Sequence, residues 1–175
     1  MKRTTLTKHI NAFRTEALTL LRFQLAFNRI SKFENVQNIS RSDFVDDLIS
    51  LKAIENDLVI RICKFDDDTK GVHSFTKAVL EIPTTHSQKT EIERKVKQFR
   101  KQISKVKKER RHTKLAHLKI DSEDNEYEIQ YNLTPAIKSI VDIIDLMNNA
   151  NVSYNWSDGR YEKFDLRKEV LNEKT

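Results

Sequence analysis

At 175 residues and 20.6 kDa the chain is the size of one domain with a real core, and 38% hydrophobic against 33% charged residues, with mean hydropathy −0.65, is the composition of a soluble protein with wide solvated faces. No apolar run reaches the roughly 18 residues of a membrane span, the start MKRTTLTKHINAF lacks the apolar centre of a signal peptide, and the lone Cys63 excludes an internal disulfide or thiolate cluster, so a cytoplasmic protein with no membrane partner is expected. The net charge of +6 is segregated: residues 94–119 hold twelve Lys/Arg against the single acid Glu109, a local +11 that leaves −5 for the rest, and such a segment attracts polyanions.

With only two Gly and two Pro, the chain reads as long helices, an all-α fold. Leu6, Ile10, Phe13, Ala17, Leu20, Gln24 and Phe27 recur at three- and four-residue steps and predict a first helix over residues 5–30. Ser40 or Ser42 can cap a second helix, whose apolar side carries Phe44, Leu48, Leu51, Ile54, Leu58, Ile62 and Phe65, with Cys63 packed. That helix stops at Asp66-Asp67-Asp68-Thr69-Lys70-Gly71, which reads as a solvated turn because it lacks the spaced ligands of a calcium loop.

Ser74 can cap a short helix through Leu80, and Pro83 breaks the chain before a long helix starting near Ser87 or Thr90. Ile92, Val96, Phe99, Ile103 and Val106 form its seam, the pattern of a packed helix pair or a coiled coil. Residues 118–131 alternate apolar and polar around an acidic turn and allow a small β-hairpin. Thr134-Pro135 reads as N-cap plus first-turn proline of a helix with Ile137, Ile140, Val141, Ile144 and Met147. Residues 1–150 thus make the helical domain, and residues 151–175 an extension that packs on it or stays partly disordered.

The basic helix ends in Arg110-Arg111-His112-Thr113-Lys114-Leu115-Ala116-His117. A guanidinium is a permanent cation and an imidazole titrates near neutrality, and together they suit phosphodiester chemistry. Twelve Arg and five His give about one chance match to such spacing, so position carries more weight than spacing. On a regular helix Arg110 and His117 lie roughly 20° apart and Arg111 and His117 roughly 120°, so ideal geometry selects Arg110. Asp57 and Arg61, one turn apart, suit an intrahelical pair. His9, His73 and His86 show no metal-ligand spacing, and no Gly-rich phosphate loop or nucleophile elbow is present, so neither metal nor cofactor is expected.

The stretch Arg111-His112-Thr113-Lys114-Leu115-Ala116-His117 resembles the signature of the HEPN superfamily: an Arg, a polar residue, then a His a few positions on. Asn56-Asp57-Leu58-Val59-Ile60-Arg61-Ile62-Cys63-Lys64-Phe65-Asp66-Asp67 is similar to the second-helix region of its abortive-infection branch, with Lys64 in place of an arginine and Asp68 in place of a proline. The resemblance implies an antiparallel bundle of four to five main helices and a metal-independent endoribonuclease of a toxin or phage-defence system. It further implies a homodimer with both Arg/His pairs at one cleft, and an antitoxin protein as a further partner. On that reading His117 is the general acid/base, Arg111 the phosphate stabiliser with Arg110 its rival, His112 a supporting donor, and Asp57 a residue behind the site. Lys105, Lys107, Lys108 and Lys114 are the expected RNA contacts. Two other readings stand beside it: a non-catalytic HEPN-like module that binds nucleic acid or a partner, and a helical adaptor whose partner surface is the Ile92 to Val106 seam.

Overall fold

In the computed structural model of the chain, residues 2–33, 38–85, 87–108, 132–157 and 163–172 are described. They form an all-α bundle of six helices with one two-stranded ribbon among the described residues. α1 (Lys2–Ile30) is its hub, packing against α2, α3, α5 and α6. The expected stripe from Leu6 to Gln24 is buried, and Leu21 and Leu25 widen it, which lets one helix meet partners on several sides.

α2 (Arg41–Lys64) starts at Ser40, whose hydroxyl accepts the Asp43 N–H at 3.1 Å. Ser40 is therefore the cap, and the Ser42 hydroxyl sits 2.7 Å from it. Leu51, Leu58, Val59, Ile62 and Cys63 are buried. α3 (Phe75–Glu81) follows Ser74, but that hydroxyl makes no capping bond. The Phe65 carbonyl accepts the Phe75 N–H instead, at 2.9 Å, so a tertiary contact does what a local cap was expected to do.

α4 (Lys89–Val106) begins after Gln88, and neither Ser87 nor Thr90 caps it. Its entrance is fixed from outside: the Lys89 ammonium donates to the Ile82 carbonyl at 3.1 Å. Ile92, Val96, Phe99 and Ile103 are each no more than 6% exposed, packed against α5 and α3. The seam is consumed within the chain, so the adaptor reading that offered it to a partner does not hold.

α5 (Thr134–Asn148) carries Pro135 in its first turn, yet Leu133 occupies the cap position and the Asn132 side chain accepts the Thr134 N–H at 3.2 Å. Asn149 ends the helix in the left-handed region at φ 54°, which asparagine tolerates. The expected hairpin at 118–131 lies outside the described residues. A ribbon does occur later, where β1 (Asn155–Ser157) pairs antiparallel with β2 (Lys163–Asp165), Trp156 opposite Phe164.

α6 (Leu166–Leu171) is capped by Asp165, which accepts the Arg167 N–H at 3.1 Å, and packs on α1. Arg167 donates to Asp145 at 2.6 Å and to the Val152 carbonyl at 3.2 Å, while Asp145 also accepts the Val152 N–H at 2.7 Å. Val152, Tyr154, Leu166 and Val170 join the same continuous core as the bundle. Burial, and then the neighbouring Asp145 carboxylate, push the Tyr154 phenol well above its ordinary range.

Four phenylalanines tie the first four helices together. Ring centroids of Phe13 and Phe75 are 4.9 Å apart, Phe65 and Phe75 5.0 Å, Phe75 and Phe99 5.5 Å, and Phe13 and Phe65 5.7 Å. Phe75 touches all three others and is 1% exposed. Phe75→Ala is expected to lower stability by about 3–5 kcal/mol in urea denaturation. Leu80→Ala, at a residue 76% exposed on the same helix, should change it by less than about 0.5 kcal/mol.

Candidate nucleic-acid interface

α4 is amphipathic in charge as well as in hydropathy. Its seam residues fall on one side, and at about 100° per residue Arg94, Lys97, Lys101 and Lys105 fall together on the opposite side, with Lys108 two residues past the helix end. All five are exposed. The row covers fifteen positions, 94 to 108, a length of about 21 Å. Arg94 is paired with Glu91 at 2.5 Å. Lys97, Lys101 and Lys105 have no ion pair among the described residues. Cations on the flanks of the row are matched instead: Lys95 meets Asp142 at 3.2 Å, and Arg100 meets Asp68 at 3.2 Å. The positive charge left over is thus confined to one face.

The far end of α4 is held by an acid that sequence reading assigned to solvent. Asp66 is 5% exposed. Its carboxylate lies 2.9 Å from the Lys107 ammonium and 2.8 Å from the Arg100 Nε, and its carbonyl accepts a further Lys107 bond at 2.7 Å. The turn after α2 is therefore an anchor for α4 rather than a solvated bend, because Asp66 directly follows the buried Phe65 and is drawn in with it. The same contact separates Lys107 from the other expected RNA contacts. Lys105 and Lys108 are exposed on the outer row, while Lys107 turns back to Asp66.

Asp57 behaves as an intrahelical partner: its carboxylate accepts from Arg61 Nε at 2.5 Å. Arg61 also donates to Glu16 of α1 at 2.9 Å and lies over the Phe23 ring at 5.2 Å. Partial burial works against its charge, but the bonds to Asp57 and Glu16 outweigh this and hold the guanidinium above its ordinary range. Lys64 meets the same Glu16 oxygen at 3.2 Å. This network joins α1 to α2, whereas Asp66 is the acid that joins the end of α2 to α4. Nothing in the sequence separates Asp66 from its acidic neighbours except adjacency to an apolar-stripe residue, Phe65.

Beside this network lies a recess of about 480 Å³ between α1, the end of α2 and the following loop, lined by Phe13, Glu16, Ile60, Lys64, Val72 and His73, among others. His73 meets His9 of α1 with Nδ1 atoms 3.0 Å apart. His9 is buried, and burial followed by the charge of His73 lowers its pKa from 6.5. No group of three or more metal-ligating side chains occurs among the described residues.

Arg110, Arg111, His112, Lys114 and His117 lie outside the described residues. What the structure supplies is their approach: an anchored basic helix that ends at Val106, three residues before Glu109, with a row of exposed cations along its outer face. The fold and this face define an all-α bundle with a one-sided basic helix, in which no helix of the described residues is long and apolar enough to cross a membrane. Compared with family models, curated proteins and solved structures, the chain matches none of them.

Removing the Asp66 charge leaves Arg100 and Lys107 facing a neutral amide in a largely buried place. Asp66→Asn is expected to cost about 2 kcal/mol in denaturant unfolding. Asp57→Asn, at a more exposed pair, should cost under about 1 kcal/mol.

Proposed function

We propose that the protein is an RNA-binding endoribonuclease of the HEPN type, gripping RNA along the outer row of α4 and cleaving it with the Arg/His stretch that follows. The observation that carries this reading is the row of Lys97, Lys101 and Lys105, exposed and without an ion pair among the described residues, on the helix that leads in sequence toward Arg110 and His117. A row of ammonium groups without acidic partners gains by replacing the counterions of a phosphate chain. Lys105, Lys108 and Lys114 extend the grip toward the cleavage site.

The chemistry follows from the residue types. A neutral imidazole at His117 removes the proton from a ribose 2′-OH, whose oxygen attacks the adjacent phosphorus, and the imidazolium so formed gives the proton to the 5′-oxygen as its bond to phosphorus breaks. A guanidinium at Arg111, or at Arg110, stabilises the charge growing on the phosphoryl oxygens without losing its own proton. His112 adds a donor, and Asp57 with Arg61 stiffens α2 behind the site. The products are a 2′,3′-cyclic phosphate and a 5′-hydroxyl, and no metal takes part. The wider setting of this reading is a cytoplasmic homodimer in a defence or toxin system, restrained by an antitoxin protein.

The second reading, a non-catalytic nucleic-acid-binding module, is favoured by one observation: the row of exposed cations from Arg94 to Lys108 includes none of residues 110–117. One experiment separates the two. Wild type, His117→Ala and a Lys97/Lys101/Lys105→Ala variant are incubated with single-stranded RNA in EDTA. His117→Ala is expected to bind as wild type and to cleave about 10²–10⁴-fold more slowly. The triple variant is expected to lower the salt slope of binding by about 2. Binding without cleavage by wild type selects the module, and equal cleavage by His117→Ala or strict metal dependence overturns the proposed mechanism.

A further inference from the structure

His9 and His73 stand 64 residues apart in sequence and meet between α1 and the loop joining α2 to α3. Their rings are edge-on at 89°, with Nδ1 atoms 3.0 Å apart. At that distance two imidazole nitrogens share one proton: one Nδ1–H donates and the other lone pair accepts. A second proton would aim two N–H groups at each other and set two cations face to face, one of them on buried His9. We infer that this contact is a proton-operated latch, which closes the loop of residues 66–74 onto α1 when one proton is shared and opens it when both rings are charged.

The loop is built to be held at two ends. Asp66 and Asp68 fasten its beginning to Arg100 and Lys107 of the basic helix. His73 fastens its end to α1. Between them Lys77 of α3 donates to the Thr69 and Val72 carbonyls. Opening the His73 end therefore loosens the segment that carries the anchor of α4. The inference stands whether or not the chain cleaves RNA.

The surrounding charges set the direction of the response. Burial is the largest effect on His9, followed by His73; Lys77 also disfavours a charge there, and Glu81 of α3 favours it. His73 shares the recess with Glu16 of α1, Lys64 of α2 and Asp67 of the loop. The net lowering means that the closed state prefers a neutral His9, while the open state takes up a proton near the ordinary 6.5. Closure is then complete above that value and weakens as pH falls below it. Carboxylates titrate near 4, so a comparison of pH 7.5 with pH 5 isolates the imidazoles.

The backbone supplies the reporters. The Phe75 N–H donates to Phe65 across the neck of the loop, and the Val72 N–H donates to Thr69 within it. Hydrogen-exchange protection, corrected for the intrinsic rate at each pH, is expected to fall about tenfold at Phe75 and Val72 between pH 7.5 and pH 5. Ile140 and Ile144 of α5 should keep theirs. His73→Phe keeps a ring without a titrating nitrogen, and His73→Asn keeps a neutral hydrogen-bonding group; in each, the loss of loop protection between the two pH values is expected to shrink to the part that burial of His9 alone imposes. Equal protection in wild type at both pH values, or the same tenfold loss in either variant, overturns the latch.

Discussion

The contact on which the rest depends is the four-ring cluster of Phe13, Phe65, Phe75 and Phe99. Each ring comes from a different helix or helix end, so burying them together fixes α1, the end of α2, the start of α3 and α4 in one operation. Aromatic side chains bury large areas in geometries that tolerate little displacement. Because Phe65 and Phe75 touch, the chain between them must leave and return at the same place, and the Phe75 N–H to Phe65 carbonyl bond closes the neck. Asp66 comes next after Phe65 and is carried inward with it. The carboxylate that anchors α4 is thus positioned by hydrophobic packing, not by attraction alone.

That anchoring explains how a helix this cationic remains a helix. Like charges along one face repel, and the cost grows where they are desolvated. Here the cations near packed surfaces are matched, Lys95 by Asp142, Arg100 by Asp66 and Asp68, and Lys107 by Asp66. Lys97, Lys101 and Lys105, without an ion pair among the described residues, are exposed to water, where screening over about 8 Å limits their mutual repulsion. An unscreened polyanion brought into contact feels the same row at full strength.

The helices of the bundle were legible because periodicity and burial are two views of one fact: Ile92, Val96, Phe99 and Ile103 repeat every three to four residues since one side of α4 is inside. Pro135 and Ser40 carried local conformational signals of the same kind. Illegible were the features made by meeting residues. The cap of α3 is a carbonyl ten positions upstream, the entrance of α4 is held by Lys89 on Ile82, and His9 finds His73 across 64 positions. Asp66 among three aspartates looks like a turn until its neighbour Phe65 is known to be buried. Of the candidate site, the basic face is seen in the structure, while the roles proposed for Arg110, Arg111 and His117 rest on the family resemblance of their stretch and on its position after the basic helix.

The last described helix lies against the first, and Arg167 locks it there through Asp145 and Val152. During synthesis, the broad apolar side of α1 therefore waits for residues made some 140 positions later. Long-range closure of this sort comes late in folding and leaves apolar surface open meanwhile. The side of α1 that α6 covers accordingly stays bare until α6 has been made, and the bundle closes only then.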